Sequence, residues 1–148
     1  MAERTQSSID VSAAPETVLD VIADFERYPD WAGQVKSAKV LVEDTDGWAD
    51  EVEFVLDAGV IKDTYTLGYT WEVDEDGTGT VSWTLVKATL LKALDGAYTL
   101  TSDGSGGTRV GYELAVDVSL PMLGVLKRKA EKVIIDTALK ELKKRAEA

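Results

Sequence analysis

Two residue types are missing altogether: the 148-residue chain has no cysteine and no histidine. Without cysteine there is no disulfide and no thiolate nucleophile. Without histidine there is no Ser-His-Asp or Cys-His unit. Common zinc sites draw on these same two residues, so no metal is expected, and no cofactor either. Any chemistry falls to carboxylates, hydroxyls, lysine, arginine, tyrosine or ordered water. No apolar run approaches the ~20 residues of a transmembrane segment. The opening Met1-Ala2-Glu3-Arg4-Thr5-Gln6 lacks the apolar stretch of a secretory signal, so the expected location is cytoplasmic.

What is present fits a globular protein. Hydrophobic residues make up 45% of the chain, which argues against disorder. The length predicts a single domain spanning 1–148, large enough to bury roughly two-thirds of its unfolded surface. The net charge of −11 is uneven. Residues 120–148 hold eight basic side chains and four acidic ones, a net of +4, which leaves −15 for residues 1–119. An acidic body argues against nucleic acid as a partner. The basic end admits peripheral membrane or partner contact, or a solvated helix face that complements its own dipole.

Periodicity supplies the fold class. Ile9 and Val11 alternate with polar residues in a first strand, Thr5 to Ser12. Pro15-Glu16 opens a helix striped by Val18, Leu19, Val21, Ile22 and Phe25. A second short helix is expected from Pro29, within Tyr28-Pro29-Asp30-Trp31. Then come strands at about 35–44, 48–57 and 60–73, one around Val81, Trp83 and Leu85, one at about 91–102, and one through Val110 to Val118. Turn signals separate them at Asp46-Gly47, Ala58-Gly59, Asp76-Gly77 and 103–107. Asp95-Gly96 reads as a hairpin turn or as a bend inside a strand; a turn near Lys87-Ala88-Thr89 favours the bend. From Pro121 the period becomes helical, with Leu123, Leu126, Ala130, Val133, Ile134, Thr137, Ala138 and Leu142 as its apolar stripe. The result is an α+β architecture: a curved antiparallel seven-stranded sheet wrapped around a long C-terminal helix, with two short helices between the first two strands.

This order, together with particular stretches, resembles the START-like or helix-grip (SRPBCC) superfamily. More narrowly it resembles the polyketide cyclase/dehydrase and coenzyme-Q-binding branch. The stretches are 8–16 (Ser8 to Glu16), 24–31 (Asp24 to Trp31), Val81-Ser82-Trp83, 94–100 (Leu94 to Leu100) and 107–114 (Gly107 to Leu114). The resemblance spans essentially the whole chain and implies a hydrophobic cavity between sheet and long helix. Members bind lipids, quinones, sterols or polyketides, and a minority catalyse cyclisation or aromatisation. One fold therefore carries several functions. The expected partner is a small hydrophobic ligand, and the chain is expected to be a monomer or homodimer.

The candidate ligand-binding residues are the aromatics on the apolar strand faces: Phe54, Tyr65, Tyr69, Trp71, Trp83, Tyr98 and Tyr112. Each buries ~150–250 Å² whether it serves the core or a ligand. Leu126, Ala130, Val133, Ile134 and Thr137 face them from the long helix. Thr137 has the alternative of bonding its own backbone. Trp31 is either a lid over the cavity or a staple that holds the short helices to the sheet edge. For catalysis the candidates are Asp63, Tyr65 and Arg109. Alternation puts Asp63 on the face of Tyr65 and Leu67, where it is either a cavity acid or base with a raised pKa or a solvated carboxylate at the rim. Arg109 falls on the polar face, where it is expected to pair with Glu113. Three functions remain open: a binding or carrier domain, an aromatase/cyclase working by aldol closure and dehydration, and a partner- or membrane-binding module using the basic helix.

Overall fold

A computed structural model describes residues 4–57, 62–118 and 124–148. Its elements are β1 (Thr5–Val11), α1 (Pro15–Ala23), a 3-10 turn (Phe25–Arg27), α2 (Tyr28–Trp31), β2 (Val35–Glu43), β3 (Ala49–Asp57), β4 (Lys62–Val73), β5 (Gly79–Ala88), β6 (Leu91–Ser102), β7 (Thr108–Val118) and α3 (Gly124–Ala146). All seven strands form one antiparallel sheet in the order β1-β7-β6-β5-β4-β3-β2. Strands β2 to β7 are thus a meander, and β1 adds to its far side. The α+β arrangement expected from periodicity is the one found. The Ala58-Gly59 turn signal, Ile61, Pro121, Leu123 and the side chain of Leu126 lie outside what is described.

The start of α1 follows from its sequence. Ala14 is extended and Pro15 occupies the first helical position, where a missing N–H leaves no bond unmade. Glu16 complements the positive end of the helix dipole. Val18 and Ile22, one turn apart, are fully buried, and Phe25 continues into the core from the 3-10 turn. Burial of each such side chain contributes about 1.5–3 kcal/mol. The Tyr28 hydroxyl donates to the Ile22 carbonyl at 2.5 Å, tying α2 back onto α1.

Residues 95 and 96 lie inside β6 and form no turn. Gly96 sits opposite Trp83 of β5 and Leu114 of β7. A Cβ at Gly96 would stand 2.6 Å from the Trp83 ring and 2.7 Å from the Glu113 carbonyl oxygen. The absent side chain is what lets the indole lie down on the strand beside it.

The register of α3 differs from the apolar stripe expected of it. Ala130, Glu131, Ile135, Leu139, Leu142 and Ala146 are buried, whereas Val133 is 44% exposed. The helix leans on β1, β7 and α1, so its buried face is rotated away from Val133. Glu131 is the surprise in that face. It is 1% exposed, with Oε1 accepting from the Thr5 hydroxyl at 2.6 Å and Oε2 from the Val116 N–H at 2.7 Å. A buried carboxylate is tolerable when donors on both oxygens replace water.

Candidate functional site

Between the concave face of the sheet and α3 lies a cleft with a cavity volume of about 100 Å³. That is smaller than the ~300–1,000 Å³ of drug-sized ligand sites, and it opens to solvent at one end. Strands β3 to β7 supply Phe54, Leu56, Tyr65, Leu67, Tyr69, Trp83, Leu94, Tyr98, Tyr112 and Leu114. From α3 come Ile134, Thr137, Ala138 and Glu141. Tyr28 and Trp31 of α2, with Ala32, Gln34 and Val35 after them, form the remaining wall. Strand alternation explains the sheet side, since every second residue of a strand points to the same face.

Eight aromatic rings surround this space: Tyr28, Trp31, Phe54, Tyr65, Tyr69, Trp83, Tyr98 and Tyr112. They touch in two groups, Trp31 to Tyr65 and Tyr69 to Tyr112, joined through Phe25 of the core. Tyr28 and Trp31 have centroids 4.9 Å apart, Phe54 stacks on Tyr65 at 5.5 Å, and Tyr98 meets Tyr112 edge-on at 4.6 Å. Trp83 bridges Tyr69, Tyr98 and Tyr112. Such tilted and edge-on pairs each add ~0.5–1.5 kcal/mol beyond area burial, so the wall is a stiff one.

The chain has five tyrosines, and all five are in this wall. Burial pushes each hydroxyl up from the ordinary tyrosine range, and for most the proximity of another tyrosine adds to it. For Tyr112 burial is the whole cause. They therefore stay protonated under ordinary conditions and act as neutral donors and acceptors. Tyr28 is committed to the Ile22 carbonyl. The other four hydroxyls have no hydrogen-bond partner among the described residues, which leaves them available to a ligand.

The candidates read from sequence divide clearly. Trp31, Phe54, Tyr65, Tyr69, Trp83, Tyr98, Tyr112, Ile134 and Thr137 all border the cleft. Trp71 does not. It packs tilted against Trp48 at 4.8 Å and stacks behind Tyr69 at 5.7 Å, and its indole N–H donates to the Ala49 carbonyl at 2.7 Å. Ala130 is buried in the contact between helix and sheet, and Val133 faces outward. Trp31 borders the cleft and packs against Tyr28 of the same short helix, ring centroids 4.9 Å apart.

Asp63 is no cavity acid. Its carboxylate accepts the N–H groups of Thr64 and Thr89 on one oxygen and of Leu90 and Leu91 on the other, at 2.8–3.2 Å. It organises the turn between β5 and β6. Arg109 stands on the outer face and pairs with Asp10 across β1 at 3.3 Å, not with Glu113, which Arg4 takes at 2.7 Å. The cross-strand register sets Arg109 opposite Asp10, which explains the choice. Lys143, one of the basic residues of the C-terminal segment, donates to the Asp10 carbonyl and to Glu147.

Sequence reasoning passed over Tyr28, Gln34 and Glu141. Tyr28 was hidden in a helix-breaking segment, and Glu141 looked like one more polar residue of a charged helix. Glu141 is the one charged side chain in the wall among the described residues. Its Oε2 accepts the Gly33 N–H at 2.7 Å, joining α3 to the α2–β2 link at the mouth. Among the described residues there is no group of three or more acidic side chains placed to hold a metal ion. No helix among them is long and apolar enough to cross a membrane.

Comparison with solved structures places this architecture. A START superfamily protein from Mycobacterium smegmatis superposes with a TM-score of 0.89 at 19% identity, over 97% of each chain. The Zhui aromatase/cyclase from a Streptomyces species gives 0.78 at 13% identity, over 99% of this chain and 94% of that one. A STAR-related lipid transfer protein from Xanthomonas axonopodis gives 0.77 at 18% identity, over 97% and 85%. No curated protein matches the sequence. At these identities the structural likeness establishes the helix-grip fold alone. Residues 11–143, nearly the whole length, match the family described as polyketide cyclase / dehydrase and lipid transport, and the chain belongs to that family.

Proposed function

We propose that this protein is a binding or carrier domain that holds a small hydrophobic molecule between sheet and helix. The observation that carries the reading is the cleft itself: a cavity of about 100 Å³ walled by eight aromatic rings and apolar side chains. A protein selected only for stability fills such a space, because interiors pack to crystal density and voids are destabilising. The family and the lipid-transfer neighbour agree with this reading.

Cyclase chemistry is the second reading, favoured by the four unpartnered tyrosine hydroxyls and by the aromatase/cyclase neighbour. Neutral hydroxyls can polarise ketone oxygens and fold a chain for aldol closure. The reaction also needs a base to remove an α-proton. Asp63 is engaged in a turn and the tyrosines are held protonated, which leaves Glu141 at the mouth. Binding without turnover fits this distribution better.

Native mass spectrometry of the purified protein, with solvent extraction and displacement of an apolar fluorescent dye, tests the reading. A retained apolar molecule, or saturable dye binding weakened by Tyr98→Ala, supports it. If no molecule co-purifies and no dye enters, the carrier function is excluded.

A further inference from the structure

We infer that the ligand carries a protonated amine, held against Glu141 at the mouth while its apolar body lies among the aromatic rings. The inference rests on the binding reading above and narrows its ligand class. No lysine or arginine borders the cleft among the described residues, so nothing there receives a carboxylate or phosphate. The single charged liner has the opposite sign. Glu141 accepts one hydrogen bond, from Gly33, and forms no ion pair within 4.0 Å among the described residues. A carboxylate has about four lone-pair positions, so most of its capacity is unfilled.

The basic residues near Glu141 stand outside the cleft lining: Lys36 donates to the Gly33 carbonyl at 3.0 Å. Lys140 and Lys144 share the open groove beside the mouth with Glu141, but neither is within ion-pair distance of it. Lys143 is engaged with Asp10 and Glu147. Trp31, Tyr28 and Tyr65 line the same cleft as Glu141. Their ring faces carry the negative side of the aromatic quadrupole, which attracts cations and repels anions. Tyrosine hydroxyls add neutral acceptors. An anionic lipid would meet a like charge at the entrance and find no counter-ion within. An ammonium would find a carboxylate at the entrance and π faces beyond it.

Three probes on one skeleton isolate the effect: naphthylmethylammonium, naphthylmethanol and naphthoate, titrated by calorimetry into the full chain. The ammonium is expected to bind at least about tenfold tighter than the alcohol, with the carboxylate weakest. Glu141→Gln keeps a carbonyl for the Gly33 N–H and removes the charge. It is expected to bring the ammonium down to the affinity that the alcohol has for the same variant. As a readout independent of the variant, added salt should weaken ammonium binding to the wild type and spare the alcohol. If the alcohol binds and the ammonium binds no tighter, or if Glu141→Gln keeps the preference, the amine assignment is overturned and the carrier reading stands. If neither binds, both are overturned.

Discussion

The carboxylate of Glu131 accepts the backbone N–H of Val116 at 2.7 Å, near the C-terminal end of β7. Its other oxygen takes the Thr5 hydroxyl from β1. One side chain therefore pins the long helix to two neighbouring strands. Replacing it with alanine leaves a buried N–H and a hydroxyl without partners, which destabilises by about 1–3 kcal/mol. Glutamine can accept from Val116 and donate to Thr5, so Glu131→Gln should lose less than Glu131→Ala. Urea midpoints of the two variants check the order; an alanine variant as stable as the parent would show that the pin is idle.

Asp63 yields a prediction that separates structure from function. Asp63→Ala frees four backbone N–H groups around the β5–β6 turn and should destabilise by about 1–3 kcal/mol. Binding of an apolar dye should be unchanged once the protein is folded. Loss of dye affinity at full folding would return Asp63 to the cavity.

The tyrosines make stability depend on alkaline pH. Their folded-state pKa values lie above the unfolded value of about 10. The folded form keeps its phenolic protons where the unfolded chain loses them. Their contribution is thus fully present below about pH 10 and falls as pH rises beyond it. Unfolding midpoints should drop above that point. Phenolate absorbance should appear together with unfolding, because all five tyrosines belong to the wall. Phenolate appearing while the fold is intact would contradict the enclosure.

Gly96→Ala tests the seat of Trp83. The new methyl would fall 2.6 Å from the indole and 2.7 Å from a backbone oxygen. The ring must move toward the cleft, at about 1–3 kcal/mol of strain. Reduced stability together with weaker dye binding and a shifted tryptophan emission is the expected outcome. Stability loss with unaltered emission would place the strain in the backbone instead.

Much of the fold was legible because alternation is a strong signal where one sheet face is covered. Val52, Phe54 and Leu56 on β3, and Val110, Tyr112 and Leu114 on β7, read inward from sequence and are inward. The long helix was harder. Its residues serve two surfaces, a packed face through Ile135 and Leu139 and a cavity face through Ile134, Thr137 and Ala138. A single apolar stripe merged the two and drew in Val133. Glu131 was invisible because a charged residue is read as exposed until its partners, from strands 15 and 126 residues away, are in view. Trp71 had the right side of its strand but lay too far along it. Alternation gives the face of a residue and says nothing of its height. The five tyrosines showed up as scattered inward positions, and only the curvature of the sheet brings them together.

The sheet order has a consequence for synthesis. Thr5 pairs with Leu114 and Val11 with Thr108, so the first strand made is completed by the last. While the chain emerges, β2 to β6 can zip together hairpin by hairpin. The β1 segment has no strand to join until β7 is released, and Thr5 has no Glu131 until α3 follows. The nascent protein must therefore hold an apolar concave surface open to its surroundings until β7 and α3 have been made, a long wait of the kind that slows folding of non-local pairings.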